Sequence, residues 1–85
     1  MNGEMILKQA AAVIANRRDS YGDPTASMTA IARRWSITLG QTITPAQVAL
    51  CLIDLKLARL AFDPNHLDSM IDIAGYAAVL REVQS

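Results

Sequence analysis

The stretch from Thr44 to Leu60, TPAQVALCLIDLKLARL, constrains the fold more than any other part of the chain. It starts with the pattern of a capping box, and proline occupies the first helical position. From Val48 onward the strongly polar residues of this stretch are Asp54, Lys56 and Arg59. A surface helix needs only one apolar stripe, so the pattern predicts a central helix that is largely buried.

Large apolar side chains point in several directions from such a helix, and most of them are expected to be buried. They are Leu52, Ile53, Leu55 and Leu57. Truncating a buried leucine to alanine costs about 2–5 kcal/mol, so Leu55→Ala is expected to lower the melting temperature severely. Cys51 has no second cysteine to pair with and is expected to be a small core residue.

Three further helices are predicted from the spacing of apolar residues and from residues that end helices. Their expected bounds are Glu4 to about Asn16, Pro24 to the stop at Gly40, and about His66 to Val83. Gly22 permits positive φ and is expected to interrupt the chain before the second helix. Asp23 is the predicted N-cap of that helix, and Asn65 is the predicted N-cap of the last one.

Four helices with short connections and no strands predict an all-α protein, a compact four-helix bundle-like domain that spans residues 1–85. The chain is 52% hydrophobic, with a mean hydropathy of +0.20. This apolar content is high for so short a chain, because small domains bury a small fraction of their surface. We therefore expect a homodimer or larger homo-oligomer in which helices pack on helices.

Charge and hydropathy also narrow the possible partners. The formal net charge is zero, so no long-range field attracts nucleic acid or an anionic membrane. No apolar run reaches the length of a membrane span, and the N-terminus lacks a basic region followed by an apolar stretch. These features predict a cytoplasmic protein that does not bind membranes or nucleic acid.

Two aspartates on the predicted last helix form the first candidate site. Asp68 and Asp72 stand one turn apart, and a short connection should place them beside Asp54 and Lys56 of the central helix. Carboxylates at this spacing can share Mg²⁺, and a lysine can neutralise phosphate oxygens. The alternative is structural: Asp68 stabilises the helix N-terminus, and Asp72 forms an ion pair with Lys56 or an arginine.

A second candidate site is the segment RRDSYGD at 17–23. It places two arginines and Tyr21 at a junction between helices, where the ring could stack on a base and the arginines could bind phosphate. The alternative interpretation is an ordinary capped turn with solvated arginines. His66 has no second histidine as a partner and is interpreted as a residue at a helix start.

Several segments together resemble a small phage and prophage family of uncharacterised proteins. They are DSYGDP at 19–24, Trp35, LKLARL at 55–60 and DSMIDIAGYA at 68–77. More distantly, LK-x-x-R followed by an acidic motif and a tyrosine resembles nucleotide-modification-associated domains and the MazG-like all-α nucleotide pyrophosphohydrolases. Those enzymes use Glu-x-x-Glu and Glu-Glu-x-x-Asp motifs to bind the Mg²⁺ that activates water for cleavage between the α and β phosphates.

The resemblance implies a nucleotide-binding protein, with Mg²⁺ as cofactor and Asp54, Asp68 and Asp72 as metal ligands. Ser69 stands where the second Glu of the second motif would be, and the Glu-x-x-Glu motif has no counterpart. The implied activity is thus that of a Mg-dependent nucleoside triphosphate pyrophosphohydrolase with a reduced carboxylate site. The residues expected to bind the nucleotide are Lys56, Arg59, Arg18, Tyr21 and Tyr76.

Three classes of function remain open on the sequence. A nucleotide-binding or nucleotide-hydrolysing protein requires Asp54, Asp68, Asp72 and Lys56 to converge in a cleft. A non-catalytic phage or prophage interaction protein requires no such convergence. A helix-turn-helix DNA-binding protein is the weakest of the three, because its recognition helix would be far too apolar for a hydrated DNA groove.

Overall fold

Four helices make up the described part of the chain, as the sequence predicts. A computed structural model describes residues 1–84 and contains no strand in that range. The helices are α1 (Gly3–Tyr21), α2 (Pro24–Leu39), α3 (Pro45–Phe62) and α4 (Leu67–Gln84). The all-α, four-helix prediction is therefore confirmed.

The start of α3 follows the predicted capping box. The Thr44 hydroxyl accepts a hydrogen bond from the backbone N–H of Gln47 at 3.1 Å. The Gln47 side chain in turn accepts from the backbone N–H of Thr44 at 2.9 Å. Two backbone donors at the helix start are thus satisfied reciprocally.

The first helix is longer than predicted. It continues through the 17–21 segment to Tyr21 and ends at Gly22, which has φ = 83°. None of the residues between Asn16 and Tyr21 opposes helix strongly, so the helix stops only where glycine allows a conformation that L side chains rarely adopt. The predicted end near Asn16 was wrong because a polar cluster was interpreted as a turn.

The start of α4 also differs from the prediction. The Nδ1 atom of His66, rather than the side chain of Asn65, accepts a hydrogen bond from the backbone N–H of Ser69 at 3.2 Å. The N–H of Asn65 is itself bound to the Asp63 carboxylate at 3.1 Å. His66 therefore has the helix-start role predicted for it, and the predicted N-cap role of Asn65 was wrong.

The core lies where α2, α3 and α4 meet around Val48, whose side chain is 0% exposed. Met28, Ala32 and Val79 complete this buried cluster. Partly buried apolar residues pack around it: Ile31, Trp35, Ile43, Leu52 and Val83. Helix α1 packs mainly on α4, so α3 has close neighbours only on its α2 and α4 sides in the described structure.

This arrangement contradicts the predicted burial of α3. Leu52 and Ile53 are half-buried, but Leu55 is 50% exposed, Leu57 is 49% exposed, and Cys51 is exposed rather than part of the core. Two neighbouring helices cover only about half of the circumference of a third. An apolar composition indicates that a helix avoids water, but it does not indicate whether the same chain or another one covers it.

The four helices form a flattened body of 41 × 30 × 21 Å with a radius of gyration of 13.5 Å. About 12 Å is expected for a single compact domain of this length. Within residues 1–84, no helix combines the length and the apolar character needed to cross a membrane.

Val48→Ala should lower the free energy of unfolding by about 2 kcal/mol, because it removes two methyl groups from the buried cluster and leaves a cavity. Ile37→Ala is the matched control, since Ile37 is 77% exposed and its truncation should change stability by only about 0.5 kcal/mol. Urea unfolding of both variants checks this. Equal effects of the two substitutions would contradict the position assigned to the core.

Candidate functional site

The clearest charged contact within the fold joins α3 to α4. The ammonium Nζ of Lys56 lies 3.0 Å from Oδ2 of Asp72, and the two side chains are only 12% and 20% exposed. Charged groups with so little solvent contact are costly unless they are paired. The structure therefore contains the ion pair that the structural interpretation of Asp72 requires.

The other two aspartates of the predicted magnesium site are exposed and take no part in this ion pair. Asp54 is exposed on the side of α3 away from Lys56, and Asp68 is exposed in the first turn of α4. Among residues 1–84 there is no group of three or more His, Cys, Asp or Glu side chains that could hold a metal ion. The structure does not bring the three predicted ligands together, and magnesium binding stays a prediction.

The predicted phosphate-binding cations are also separated. A guanidinium nitrogen of Arg18 lies 2.8 Å from a Glu82 carboxylate oxygen, in a surface pair that ties α1 to the end of α4. Arg59 is exposed and lines a shallow groove with Phe62 and His66. Lys56 is held by Asp72, so these three cations do not converge on one point.

Tyr21 and Tyr76, by contrast, are brought to one cleft from distant parts of the chain. The cleft has a volume of about 360 Å³, and residues from all four helices line it. Its walls are mainly apolar, with Arg17 as its one charged residue. The size lies in the range of sites that hold small ligands, which are mostly apolar with a few polar groups. The predicted pairing of these two tyrosines in one site is thus geometrically possible.

Arg17, one of the two arginines of the second candidate site, lines the cleft, whereas Arg18, which was expected to bind the nucleotide, does not. Ala10, Ile14, Arg17 and Tyr21 recur at intervals of four, three and four residues, so they lie along one side of α1. Extending the apolar stripe of α1 past Asn16 would have identified Arg17 and Tyr21 as neighbours on the inner side. The predicted helix end concealed this signal.

His66 and Ser69 form a close pair that serves the start of α4. The Nδ1 atom of His66 lies 2.7 Å from the hydroxyl oxygen of Ser69, and Ser69 is fully buried. A buried hydroxyl cannot reach an external substrate. The pair satisfies polar groups at a helix end, which accounts for both residues without catalysis.

Gly75 does not mark a close helix approach. A Cβ atom placed at this position would have no neighbour within 4 Å apart from its own helix and adjacent residues. A glycine in the interior of a helix can permit close contact with a neighbouring helix, and no helix makes that contact here.

Roughly half of the circumference of α3 is exposed and largely apolar, and we call this surface the outer face. Seven of its exposed residues are apolar: Leu50, Cys51, Leu55, Leu57, Ala58, Ala61 and Phe62. Phe62 is 94% exposed. The exposed polar residues on this helix are Gln47, Asp54 and Arg59. A surface with so many apolar residues is typical of an interaction site.

These features define a small all-helical protein with an apolar cleft that all four helices line and a largely apolar, exposed face on α3. The model of a domain of unknown function, DUF6378, matches residues 5–84, and the chain belongs to that family. Two relatives from mycobacteriophages also support the predicted membership of a small phage family.

The Gene 55 protein of Mycobacterium phage L5 is 40% identical over 81 residues, which make up 93% of this chain and 52% of the relative. The Gene 55 protein of Mycobacterium phage D29 is 35% identical over 81 residues, which make up 94% of this chain and 54% of the relative. The chain therefore spans about half the length of these curated relatives. No solved structure matches it. The more distant resemblance to MazG-like enzymes stays a prediction.

Asp72→Asn should lower the free energy of unfolding by about 1–3 kcal/mol, because it leaves the ammonium of Lys56 without its counter-charge. Asp68→Asn is the control: Asp68 is exposed, and its loss should cost at most about 1 kcal/mol through the helix dipole. Replacing both partners, with Lys56→Met and Asp72→Leu, should recover much of the loss. Chemical unfolding measures all three variants.

A stabilising effect of Asp72→Asn would contradict the ion-pair account. It would instead agree with a site in which uncompensated carboxylates repel each other until a cation binds.

Proposed function

We propose that this protein is a helical interaction protein that binds a protein partner through the outer face of α3. The observation that carries the proposal is the run of exposed apolar residues along this helix, interrupted by only three exposed polar ones. Water contact with this surface is unfavourable, and a partner that covers it gains about 25 cal/mol for each Å² of apolar area buried.

Phe62 and the leucines give this face the character of a binding site. Aromatic side chains that become buried on association contribute strongly to binding, and most interface energy comes from a few residues. Phe62 is 94% exposed and has almost no contact with its own chain, so packing within the fold does not remove its ring from water. Leu55 lies about two turns before Phe62 and only about 20° from it around the helix, so it extends the apolar surface along α3, whereas Leu57 widens it around the circumference.

The pairing of Lys56 with Asp72 also supports a binding role over a chemical one. Both residues have a structural account as the ion pair between α3 and α4. The charges that the nucleotide interpretation would place at a metal and at phosphates are engaged in holding two helices together.

Cys51 tests the proposal directly, because its thiol lies on the outer face. In cells that express the protein, a membrane-permeable maleimide should label Cys51 at least about tenfold more slowly than it labels the unfolded chain, since a partner covers the thiol. The matched control is Ile37→Cys in a Cys51→Ser background. Position 37 is exposed on α2, away from the outer face, and should be labelled rapidly.

Labelling of Cys51 as fast as of the control cysteine would contradict the proposal, because it would mean that the outer face is open to solvent in the cell.

A second function, nucleotide binding, is favoured by the cleft that Tyr21 and Tyr76 share with Arg17. Aromatic rings can stack on a base, and an arginine can bind phosphate oxygens. Such binding would use the two tyrosines predicted for base contact, while the predicted phosphate contact would come from Arg17 instead of Arg18. Magnesium-dependent hydrolysis would further require a metal site, for which Asp68 and Asp72 are the predicted ligands.

A panel of nucleoside triphosphates, titrated with Mg²⁺ or Mn²⁺ and followed by NMR, tests this second function. Binding should shift signals around the cleft, and Tyr76→Ala should weaken it at least tenfold, because stacking contributes about 1–3 kcal/mol per base. Tyr76→Phe keeps the ring and should retain binding. Pyrophosphate release in the same samples reports hydrolysis. Flat titrations with every nucleotide would eliminate this function.

A further inference from the structure

We infer that the occupant of the outer face is a second copy of this chain, with the two α3 helices packed side by side in the same direction. This inference rests on the proposed function, since it names the partner of that same face. Three observations carry it: the amount of exposed surface, the spacing of apolar residues on α3 and the position of two charges.

The amount of exposed surface matches one side of a protein–protein interface. The chain exposes 5795 Å². A folded monomer of 9.2 kDa is expected to expose about 4900 Å², so the excess is about 900 Å². A standard interface buries about 800 Å² on each partner. Burying an area of about 900 Å² would bring the exposed surface of the chain to the value expected from the mass of the chain.

The apolar residues of the outer face include a seam suited to a helix of the same kind. Cys51, Leu55, Ala58 and Phe62 are all exposed and follow one another at intervals of four, three and four residues. This is the spacing of the core positions of a coiled coil, and it confines the four side chains to about 60° of the helix circumference. We call these four residues the α3 seam.

Two charges flank the α3 seam on opposite sides. Asp54 and Arg59 lie about 70° to either side of its centre, five residues apart along the helix. Both are exposed, and neither takes part in the Arg18–Glu82 or the Lys56–Asp72 ion pair. In a coiled coil, residues at such flanking positions form salt bridges between helices and set their relative direction.

These flanking charges distinguish the two possible directions. When two helices run in the same direction about a twofold axis, opposite flanks meet, so Asp54 of each copy faces Arg59 of the other. In an antiparallel pair the same flanks meet, and the two Asp54 side chains would share one edge of the interface. The parallel arrangement therefore provides two symmetric ion pairs, which supports a second copy as the occupant.

Sedimentation equilibrium tests the assembly. The wild-type chain at high micromolar concentration should sediment at about twice its 9.2 kDa chain mass, as a closed pair with twofold symmetry. Leu55→Glu should yield monomers with unchanged helical circular dichroism, since Leu55 lies outside the buried core. Ile37→Glu, which adds the same charge to an exposed apolar position on α2, should leave the dimer intact. A wild-type monomer, or a dimer that survives Leu55→Glu, would overturn the inference.

A charge exchange tests the direction of the helices. Asp54→Arg and Arg59→Asp should each raise the dimer dissociation constant by about tenfold, because each creates two like-charge contacts in the dimer. The double variant carries both exchanges and restores opposite charges, so its dissociation constant should return close to that of the wild type. Additive weakening in the double variant would overturn the parallel arrangement.

The native Cys51 residue supplies a third test. In a parallel pair the two Cys51 residues face each other, and a disulfide needs Cα atoms about 4.4–6.8 Å apart. An antiparallel pair centred on the seam would separate them by roughly 16 Å along the helices. Mild oxidation with copper–phenanthroline should therefore give a disulfide-linked dimer rapidly in the wild type and slowly in Leu55→Glu. If the wild type did not form the disulfide faster than Leu55→Glu, the inference would be overturned.

Failure of this inference can be told apart from failure of the proposed function. A monomeric wild-type protein whose Cys51 is still shielded in cells would overturn the second copy as occupant, while the interaction function would stand.

Discussion

The buried cluster around Val48 is the constraint on which the other features of the fold depend. It is where α2, α3 and α4 meet, and it fixes which side of α3 points inward. Val48, Leu55 and Phe62 follow one another at intervals of seven residues, so they lie within about 40° of one another around α3. Val48 is fully buried, whereas Leu55 is 50% exposed and Phe62 is 94% exposed, so within residues 1–84 the neighbouring helices cover this line only near the start of α3. The exposed apolar surface thus begins where the core around Val48 ends.

The ion pair between Lys56 and Asp72 lies at the inner side of α3 and changes how the charged residues are interpreted. The pair satisfies two charges that have little contact with solvent. The three aspartates that together resemble a metal-binding pattern have different environments in the structure. Asp72 belongs to an ion pair, Asp68 lies at a helix start, and Asp54 lies on an exposed flank of α3. The same residues therefore contribute to helix packing, helix capping and surface charge.

Local signals in the sequence were sufficient to predict the four helices, the capping box at Thr44 and the stop at Gly40, because each depends on residues close together in the chain. The end of α1 was missed because Arg, Asp and Ser occur in turns and in helices alike. Only Gly22, with its positive φ, fixes the position at which the helix ends. Helix periodicity places Asp54 and Lys56 on opposite sides of α3, but which of the two faces Asp72 depends on the rotation of α3 against α4. The apolar circumference of α3 was evident in the sequence, whereas the identity of what covers it depends on neighbours outside the chain.

We infer that a second copy of the chain covers the outer face of α3 in the working protein. Relaxation of methyl NMR signals by a soluble nitroxide measures this most directly, because broadening reports access of solvent to each side chain. The account predicts that the methyl groups of Leu55 are protected almost as well as those of the half-buried Leu52, while those of exposed Leu39 broaden strongly. Broadening of Leu55 to the same extent as Leu39 would contradict it.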